Sequence, residues 1–152
     1  MAQILCQKLT SKSFSPFGEV IELSRKPADI NKSQRWSSVS VPNFEDGKPV
    51  IDLLYNSLKP LSLDQLEMHS NSTQTFIPFN NYPYVLVVGT SYKKLKAFIS
   101  NGHQGITLKA GIWHCSPIPI KKPILFALFH RSPEVDLDSQ VAQLKNDIIL
   151  KF

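Results

Sequence analysis

Three potential metal ligands, Glu67, His69 and Gln74, lie within one short segment of the chain. Side chains two positions apart on an extended strand point to the same face, so we expect Glu67 and His69 to project together. A fourth candidate, His114, ends the later motif Gly111-Ile112-Trp113-His114. Two imidazoles, a carboxylate and an amide oxygen suit a borderline divalent ion such as Ni, Mn, Fe or Zn. The alternative is a pair of polar strands whose histidines and glutamate face water.

The composition predicts one globular domain spanning residues 1–152. Of the 152 residues, 42% are hydrophobic and 19% are charged, which is enough to build a single core. The formal net charge of +5 comes from Lys and Arg scattered along the chain, without a basic block or an RNA-binding motif. We therefore expect a solvated surface that attracts an anionic substrate, and no nucleic-acid partner.

The cysteines and the N-terminal residues indicate a cytoplasmic protein. Cys6 and Cys115 are far apart and neither belongs to a CxxC motif. The first residues lack a basic region followed by a long apolar one, so we expect no secretory signal. Apolar runs such as 124–129 are too short to span a bilayer, so we expect no membrane partner. A reducing compartment is the simplest expectation.

Short β-prone segments separated by Gly, Pro and Asn turns predict the architecture. We expect a first strand at 3–7, and Thr10 or Ser11 can cap a short helical turn through Phe14. Further segments recur about every ten residues, the pattern of an antiparallel sandwich or barrel. Near the C-terminus, apolar residues at helical spacing predict an amphipathic helix at 136–149. These residues are Leu137, Val141, Leu144 and Ile148.

The ligand motifs resemble those of the cupin superfamily, in which His-x-His-x(3–4)-Glu is followed by Gly-x-x-His. Glu67 stands at the first His position and Gln74 at the Glu position, whereas His69 and His114 match directly. The resemblance implies a mainly β, cupin-like antiparallel β-barrel of the jelly-roll type, with the short N-terminal helical turn and the C-terminal helix. Such barrels aim short side chains from neighbouring strands at one point and leave metal positions open for a substrate.

Within that superfamily, four separated motifs resemble the bacterial ureidoglycolate lyases in the same order along the chain. The motifs are Leu9-Thr10-x3-Phe14-x-Pro16-Phe17-Gly18-Glu19-Val20-Ile21, Leu66-Glu67-x-His69-x4-Gln74-x-Phe76-Ile77-Pro78, Leu95-x-Ala97-Phe98-Ile99-x-Asn101-Gly102-x-Gln104-Gly105-Ile106 and Gly111-x-Trp113-His114. The resemblance implies a metal-dependent homodimer that splits (S)-ureidoglycolate, a small carboxylate, into glyoxylate and urea. This reaction is the last step of allantoin breakdown.

The resemblance also implies that Glu67, His69, Gln74 and His114 hold the divalent metal. Nickel is the first expectation, and Mn, Fe and Zn are the alternatives. Gln74 can instead form a hydrogen bond with the substrate. For each of these side chains, a satisfied polar role within the fold is the competing interpretation.

Five further residues are candidates for substrate binding or proton transfer. Lys109 and His130 can move protons if barrel strands bring them near the mouth of the site. Arg35 and Arg131 are candidate clamps for the substrate carboxylate, because a planar guanidinium suits a small acid. Trp113 can form a wall of the pocket. For each of the five, a surface or packing role is the alternative.

The chain departs from the family pattern at four places. Cys115 stands where a second His usually follows Trp-His, and Met68 stands where an Arg is usual. The segment around Leu53 lacks the usual Arg, and His130 replaces the Asp of an Asp-Arg pair. Two alternatives therefore remain: a metal-dependent cupin enzyme acting on a different small carboxylate, and a non-catalytic small-molecule-binding barrel. Amidohydrolase chemistry, which would release ammonia, also remains open.

Overall fold

The computed structural model of the protein describes residues 2–23, 27–30, 33–132 and 139–152. Within these ranges no helix is long and apolar enough to pass through a membrane. The elements in chain order are β1 (Ala2–Lys8), α1 (Ser11–Phe14), β2 (Gly18–Ile21), β3 (Ala28–Ile30), β4 (Ser33–Arg35), β5 (Lys48–Asn56), β6 (Ser62–His69), β7 (Gln74–Pro78), β8 (Tyr84–Ser91), β9 (Lys94–Ile99), β10 (Gly105–Leu108), β11 (Trp113–His114), β12 (Ile118–Pro119), β13 (Ile124–Ser132) and β14 (Ser139–Lys151).

Six strands close into a barrel, as the prediction of a mainly β barrel requires. Their order is β11-β6-β14-β1-β9-β8, and β11 closes the ring because it pairs with both β6 and β8. The barrel is not antiparallel throughout, because β1 runs parallel to both β14 and β9. Long stretches of chain separate β1 from each of these neighbours, so no short hairpin forces an antiparallel pairing.

A five-stranded antiparallel sheet, in the order β2-β10-β7-β13-β5, packs against the barrel. The strand β8 contributes to two cores. Leu86 and Val88 join the cluster between the barrel and this sheet, whereas Val85 and Val87 join the cluster inside the barrel. Because both faces of β8 are covered, its sequence reads as a continuous apolar run rather than as an alternating one.

The predicted N-terminal helical turn is confirmed as α1. Thr10 is its N-cap, and the Thr10 side chain accepts a hydrogen bond from the Ser13 N–H at 3.1 Å. The turn buries Phe14, whose ring meets Phe98 edge-on with centroids 5.3 Å apart. Gly18 then begins β2, at a place where a Cβ would overlap the backbone carbonyl of Thr107. Glycine therefore allows β2 to pair closely with β10.

The predicted C-terminal helix is wrong. Residues 139–151 form the strand β14, and residues 136–138 lie outside the described part of the chain. Partly buried Ala142 and Leu144 alternate in the first half of β14, and buried Ile148 and Leu150 alternate in the second. A register irregularity separates the two halves. These four residues all stand at even positions, so Leu144 and Ile148 are four residues apart, a spacing that one face of a strand and one face of a helix share. Val141, which completed the helical pattern in the sequence, is exposed on the strand.

Candidate metal centre

The pairing of β6 with β11 brings Glu67, His69 and His114 together. Glu67 lies directly opposite His114 in the register, and His69 follows two residues later on the same face of β6. One ligand atom from each side chain lies within 4.8 Å of the other two. Donors that share one ion through bonds of about 2.0–2.2 Å are up to about 4.4 Å apart. Only a small adjustment would therefore let these three side chains share an ion.

The cluster lies between the barrel wall and the five-stranded sheet. Leu66 and Cys115, the sequence neighbours of Glu67 and His114, point the other way and join the core inside the barrel. Gln74 approaches from β7 in the five-stranded sheet, and its Oε1 is 2.9 Å from His114 Nε2. The two layers thus bring together the four residues that the sequence indicated as metal ligands.

Hydrogen bonds orient both imidazole rings. His114 Nδ1 lies 2.9 Å from the carbonyl oxygen of Ile112, and because a carbonyl only accepts, Nδ1 carries the hydrogen of this bond. His114 Nε2 then faces side-chain oxygens, with Glu67 Oε1 at 3.4 Å. His69 Nδ1 lies 2.9 Å from Ser139 Oγ. Partners of this kind hold a ligating ring in one tautomer and one orientation.

The charge of the cluster also suits a cation. The hydrogen bond with His114 lowers the pKa of Glu67 from its ordinary value, although partial burial opposes this effect. Glu67 is therefore a carboxylate near neutral pH. It lies beside two imidazoles that are 4% and 1% exposed, those of His69 and His114. A carboxylate and two buried imidazoles aimed at one space form a donor set that fits Ni, Mn, Fe or Zn.

A glycine turn sets the position of β11. Gly111 has a φ of +79°, and its N–H donates to the carbonyl oxygen of His69 at 2.7 Å. Residues with a Cβ rarely adopt this φ, so glycine allows the chain to turn tightly from β10 into β11. The hydrogen bond ties this turn to the strand that carries Glu67 and His69, and so holds His114 opposite them.

Nearly the whole chain matches one protein family, since the family model described as ureidoglycolate lyase covers residues 1–151. The chain belongs to the ureidoglycolate lyase family. A ureidoglycolate lyase of Pseudomonas savastanoi pv. phaseolicola (strain 1448A / Race 6) is 29% identical over 147 residues, covering 88% of this chain and 86% of the relative. A ureidoglycolate lyase of Burkholderia mallei (strain NCTC 10229) is 29% identical over 125 residues, covering 75% of this chain and 74% of the relative. Membership of the ureidoglycolate lyase family makes the protein an enzyme of the lyase class.

Two other predicted site residues of this ureidoglycolate lyase family member contact groups outside the cluster, and a third is exposed. The Lys109 ammonium donates to the carbonyl oxygen of Ser15 at 2.6 Å, just after α1. Trp113 projects from the opposite face of β11, packs against the core inside the barrel and meets the Tyr92 ring at 5.5 Å. Arg35 is exposed on β4. The roles of these three residues in substrate binding or proton transfer stay predictions.

His130 and Arg131 are neighbours on β13, so their side chains point to opposite faces of the five-stranded sheet. The Arg131 side chain lies over Gly47, and its Nη2 is 3.6 Å from Asp46 Oδ1. His130 shares a face with Leu128, which packs towards the barrel, and His130 Nε2 is 2.6 Å from Asp52 Oδ2. The predicted proton carrier therefore faces the same space as Gln74, whereas the predicted clamp lies on the outer face.

Two residues near the site were missed by the sequence analysis. Ser139 reaches His69 through the pairing of β14 with β6, and no sequence signal pointed to it because the segment resembled a helix. Asp52 had a usable signal, since it is a charged residue between apolar Ile51 and Leu53 in a β-prone run. Alternation along that run places Asp52 on the opposite face from its two neighbours.

Replacing Ser139 with alanine is expected to weaken metal binding about tenfold, because His69 loses a partner that orients its ring. Calorimetric titration of chelator-treated protein with a divalent ion measures the change. Ser57→Ala removes an exposed hydroxyl just after β5 and is the matched control, expected to bind as the unchanged protein does. Equal affinities for Ser139→Ala and the unchanged protein would contradict an orienting role for this hydroxyl.

Proposed function

We propose that this protein splits (S)-ureidoglycolate into glyoxylate and urea with the help of a divalent ion held by Glu67, His69 and His114. The main support is that the ligand atoms of these three side chains lie close together, with Gln74 in contact with His114. The chain also belongs to the ureidoglycolate lyase family. Nickel is our first choice, with Mn, Fe and Zn as alternatives that the same donor set accepts.

The reaction is the collapse of a carbinolamide. The substrate hydroxyl loses a proton as the carbonyl of glyoxylate forms, and the carbon–nitrogen bond breaks as the urea nitrogen gains a proton. A bound divalent ion would supply positive charge that attracts the substrate carboxylate and acidifies the hydroxyl. One proton leaves oxygen and one reaches nitrogen, so a single carrier near both atoms is sufficient.

The residues around the cluster would hold the substrate and keep water out. His69, Gln74 and His114 are buried, so the site lies where charges interact more strongly than in bulk water. Gln74 offers an amide to the ion or to the substrate hydroxyl. The orientation of Arg131 away from the barrel favours the ion, rather than this guanidinium, as the partner of the substrate carboxylate.

His130 is the residue that we propose as the proton carrier. Its ring projects from the inner face of the five-stranded sheet, the face that also carries Gln74. An imidazole exchanges protons readily near neutral pH, which suits a group that first accepts and then returns a proton.

A product assay tests this function. Purified protein supplied with Ni, Mn, Fe or Zn and racemic ureidoglycolate is expected to release urea and glyoxylate in equal amounts and to stop when the S enantiomer is consumed. A reaction without protein measures spontaneous decay. Ammonia released in place of urea would indicate amidohydrolase chemistry. No product above the blank with any of the four ions would overturn the proposal and favour a different small carboxylate.

We also infer that the protein acts as a homodimer, with the outer face of β5 as the contact. Ile51, Leu53 and Tyr55 alternate along this strand and are 62%, 68% and 64% exposed. In the described part of the chain β5 is the last strand of its sheet. An apolar row at a sheet edge typically marks an association surface, and family resemblance makes a second copy the expected occupant.

Replacing Leu53 with lysine is expected to convert the dimer into monomers, because a charge would be buried in an apolar contact. Size-exclusion chromatography with light scattering gives the mass in solution. Leu5→Lys, at a residue that is 71% exposed on β1, is the matched control and should leave the dimer intact. A dimeric Leu53→Lys variant would exclude this surface, and a monomeric unchanged protein would exclude the homodimer.

A further inference from the structure

Asp52 and His130 form a close pair on the inner face of the five-stranded sheet. His130 Nε2 lies 2.6 Å from Asp52 Oδ2. The register places Asp52 directly opposite Leu128, so Asp52, Leu128 and His130 project from one face. Leu128 packs against the core cluster between the sheet and the barrel, which identifies this face as the inner one.

The strand register also places His130 beside Gln74. Leu128 pairs with Phe76, and Phe129 pairs with Thr75. One residue further along these antiparallel strands, His130 comes next to Gln74, on a strand about 4.8 Å away. Gln74 in turn contacts the cluster through its amide oxygen. The Asp52–His130 pair therefore lies on the wall that faces the candidate metal centre.

The hydrogen bond with Asp52 selects one tautomer of the neutral His130 ring. A carboxylate only accepts, so Nε2 carries the hydrogen and Nδ1 keeps the lone pair. Nδ1 is shielded from solvent and has no hydrogen-bond partner within the described part of the chain. An unpaired buried nitrogen costs free energy, and native proteins retain few such atoms. Nδ1 is therefore a candidate contact for a bound ligand.

We propose that Asp52 is a positioning residue that holds His130 as the proton carrier of the lyase reaction. Nδ1 takes the proton of the substrate hydroxyl as the carbonyl forms. The electrons of the carbon–nitrogen bond leave with the urea nitrogen, to which Nδ1 returns the proton. No oxidation and no co-reactant is involved. The catalytic part rests on the proposed function, whereas the effect of Asp52 on the ring is measurable without any substrate.

Nitrogen NMR of the full-length, metal-free protein with labelled histidines tests the orientation. The His130 signals, assigned by their loss in His130→Gln, are expected to show hydrogen on Nε2. In Asp52→Asn the amide can donate to Nε2, so the hydrogen is expected on Nδ1, where it removes the basic lone pair. Hydrogen on Nδ1 in the unchanged protein would overturn the proposal.

Kinetics of the metal-loaded protein test whether the orientation of His130 by Asp52 affects the rate of the lyase reaction. Asp52→Asn is expected to lower kcat about 10²–10³-fold while KM and metal content change by less than about twofold. Asp52→Glu keeps a carboxylate, so its kcat should be at least about tenfold higher than that of Asp52→Asn. Asp147→Asn, at an exposed residue of β14, is the matched control and should behave as the unchanged protein.

These experiments distinguish a failure of the proposed function from a failure of the proposed role of Asp52. An unchanged protein that releases no urea overturns the proposed function, and the catalytic role of the pair with it. An active unchanged protein whose Asp52→Asn variant keeps its kcat, or changes only in KM, overturns the role of Asp52 alone. Unfolding curves of Asp52→Asn that match those of the unchanged protein show that any loss of kcat does not come from a loss of structure.

Discussion

Replacing His69 and His114 together with alanine should reduce the bound divalent metal from about one ion per chain to background, because the double variant keeps a single strong donor, Glu67. The loss of a Lewis acid worth several kcal/mol should lower kcat/KM for ureidoglycolate by about 10³-fold or more. Elemental analysis after dialysis gives the metal content, and urea release gives the rate.

His103→Ala is the matched control for the double variant. His103 is exposed in the turn before β10, so its replacement should change neither the metal content nor the rate. Circular dichroism should show that both variants keep the strand content of the unchanged protein. Full metal occupancy in the double variant would show that the ion is held elsewhere, and would contradict the assignment of the cluster as the metal site.

Replacing Phe126 with alanine should lower the free energy of unfolding by about 3–5 kcal/mol, the usual cost of emptying a large aromatic site in a core. Phe126 is fully buried between the two layers, and its ring meets those of Tyr84 and Phe76 edge-on at 5.3 Å and 6.2 Å. Phe76 and Gln74 lie on the same strand, and Tyr84 begins the strand that pairs with β11. A cavity here should therefore loosen both layers of the site.

Urea unfolding of the metal-free protein measures this loss without the contribution of metal binding. Phe79→Ala is the matched control, because Phe79 is 63% exposed and its replacement should cost less than about 0.5 kcal/mol. Equal decreases in the free energy of unfolding for Phe126→Ala and Phe79→Ala would mean that the interface between the layers does not dominate the stability of the fold. A weaker affinity of Phe126→Ala for the metal should accompany its lower stability.

The barrel could be predicted from the sequence because most of its strands have a local sequence pattern that indicates a strand. Short alternating segments and turn residues indicate strands wherever they occur, and the capping residue Thr10 indicates the helical turn. The C-terminal strand could not be predicted in this way. Leu144 and Ile148 lie four residues apart, a spacing that fits one face of a strand as well as one face of a helix, and only the pairing with β6 and β1 shows which period applies.

The cluster was predictable to the extent that spacing and resemblance determine it. Glu67 and His69 share a face because they are two residues apart, and the resemblance to the cupin motifs indicated that Gln74 and His114 meet them. The orientation of the other candidates depends on which face of a strand packs inwards. His130 and Arg131 are adjacent and must diverge, but the sequence does not say which one faces the barrel. Asp52 gains a role only through its register with β13.

A metal titration of the metal-free protein, with urea release from ureidoglycolate measured at each addition, tests the central claim most directly. Lyase activity should rise from background and level off at about one ion per chain, as a single site predicts. The His69→Ala/His114→Ala variant should stay at background throughout the titration. Full urea release by the metal-free protein, with no change on adding any of the four ions, would contradict a metal-dependent lyase at this cluster.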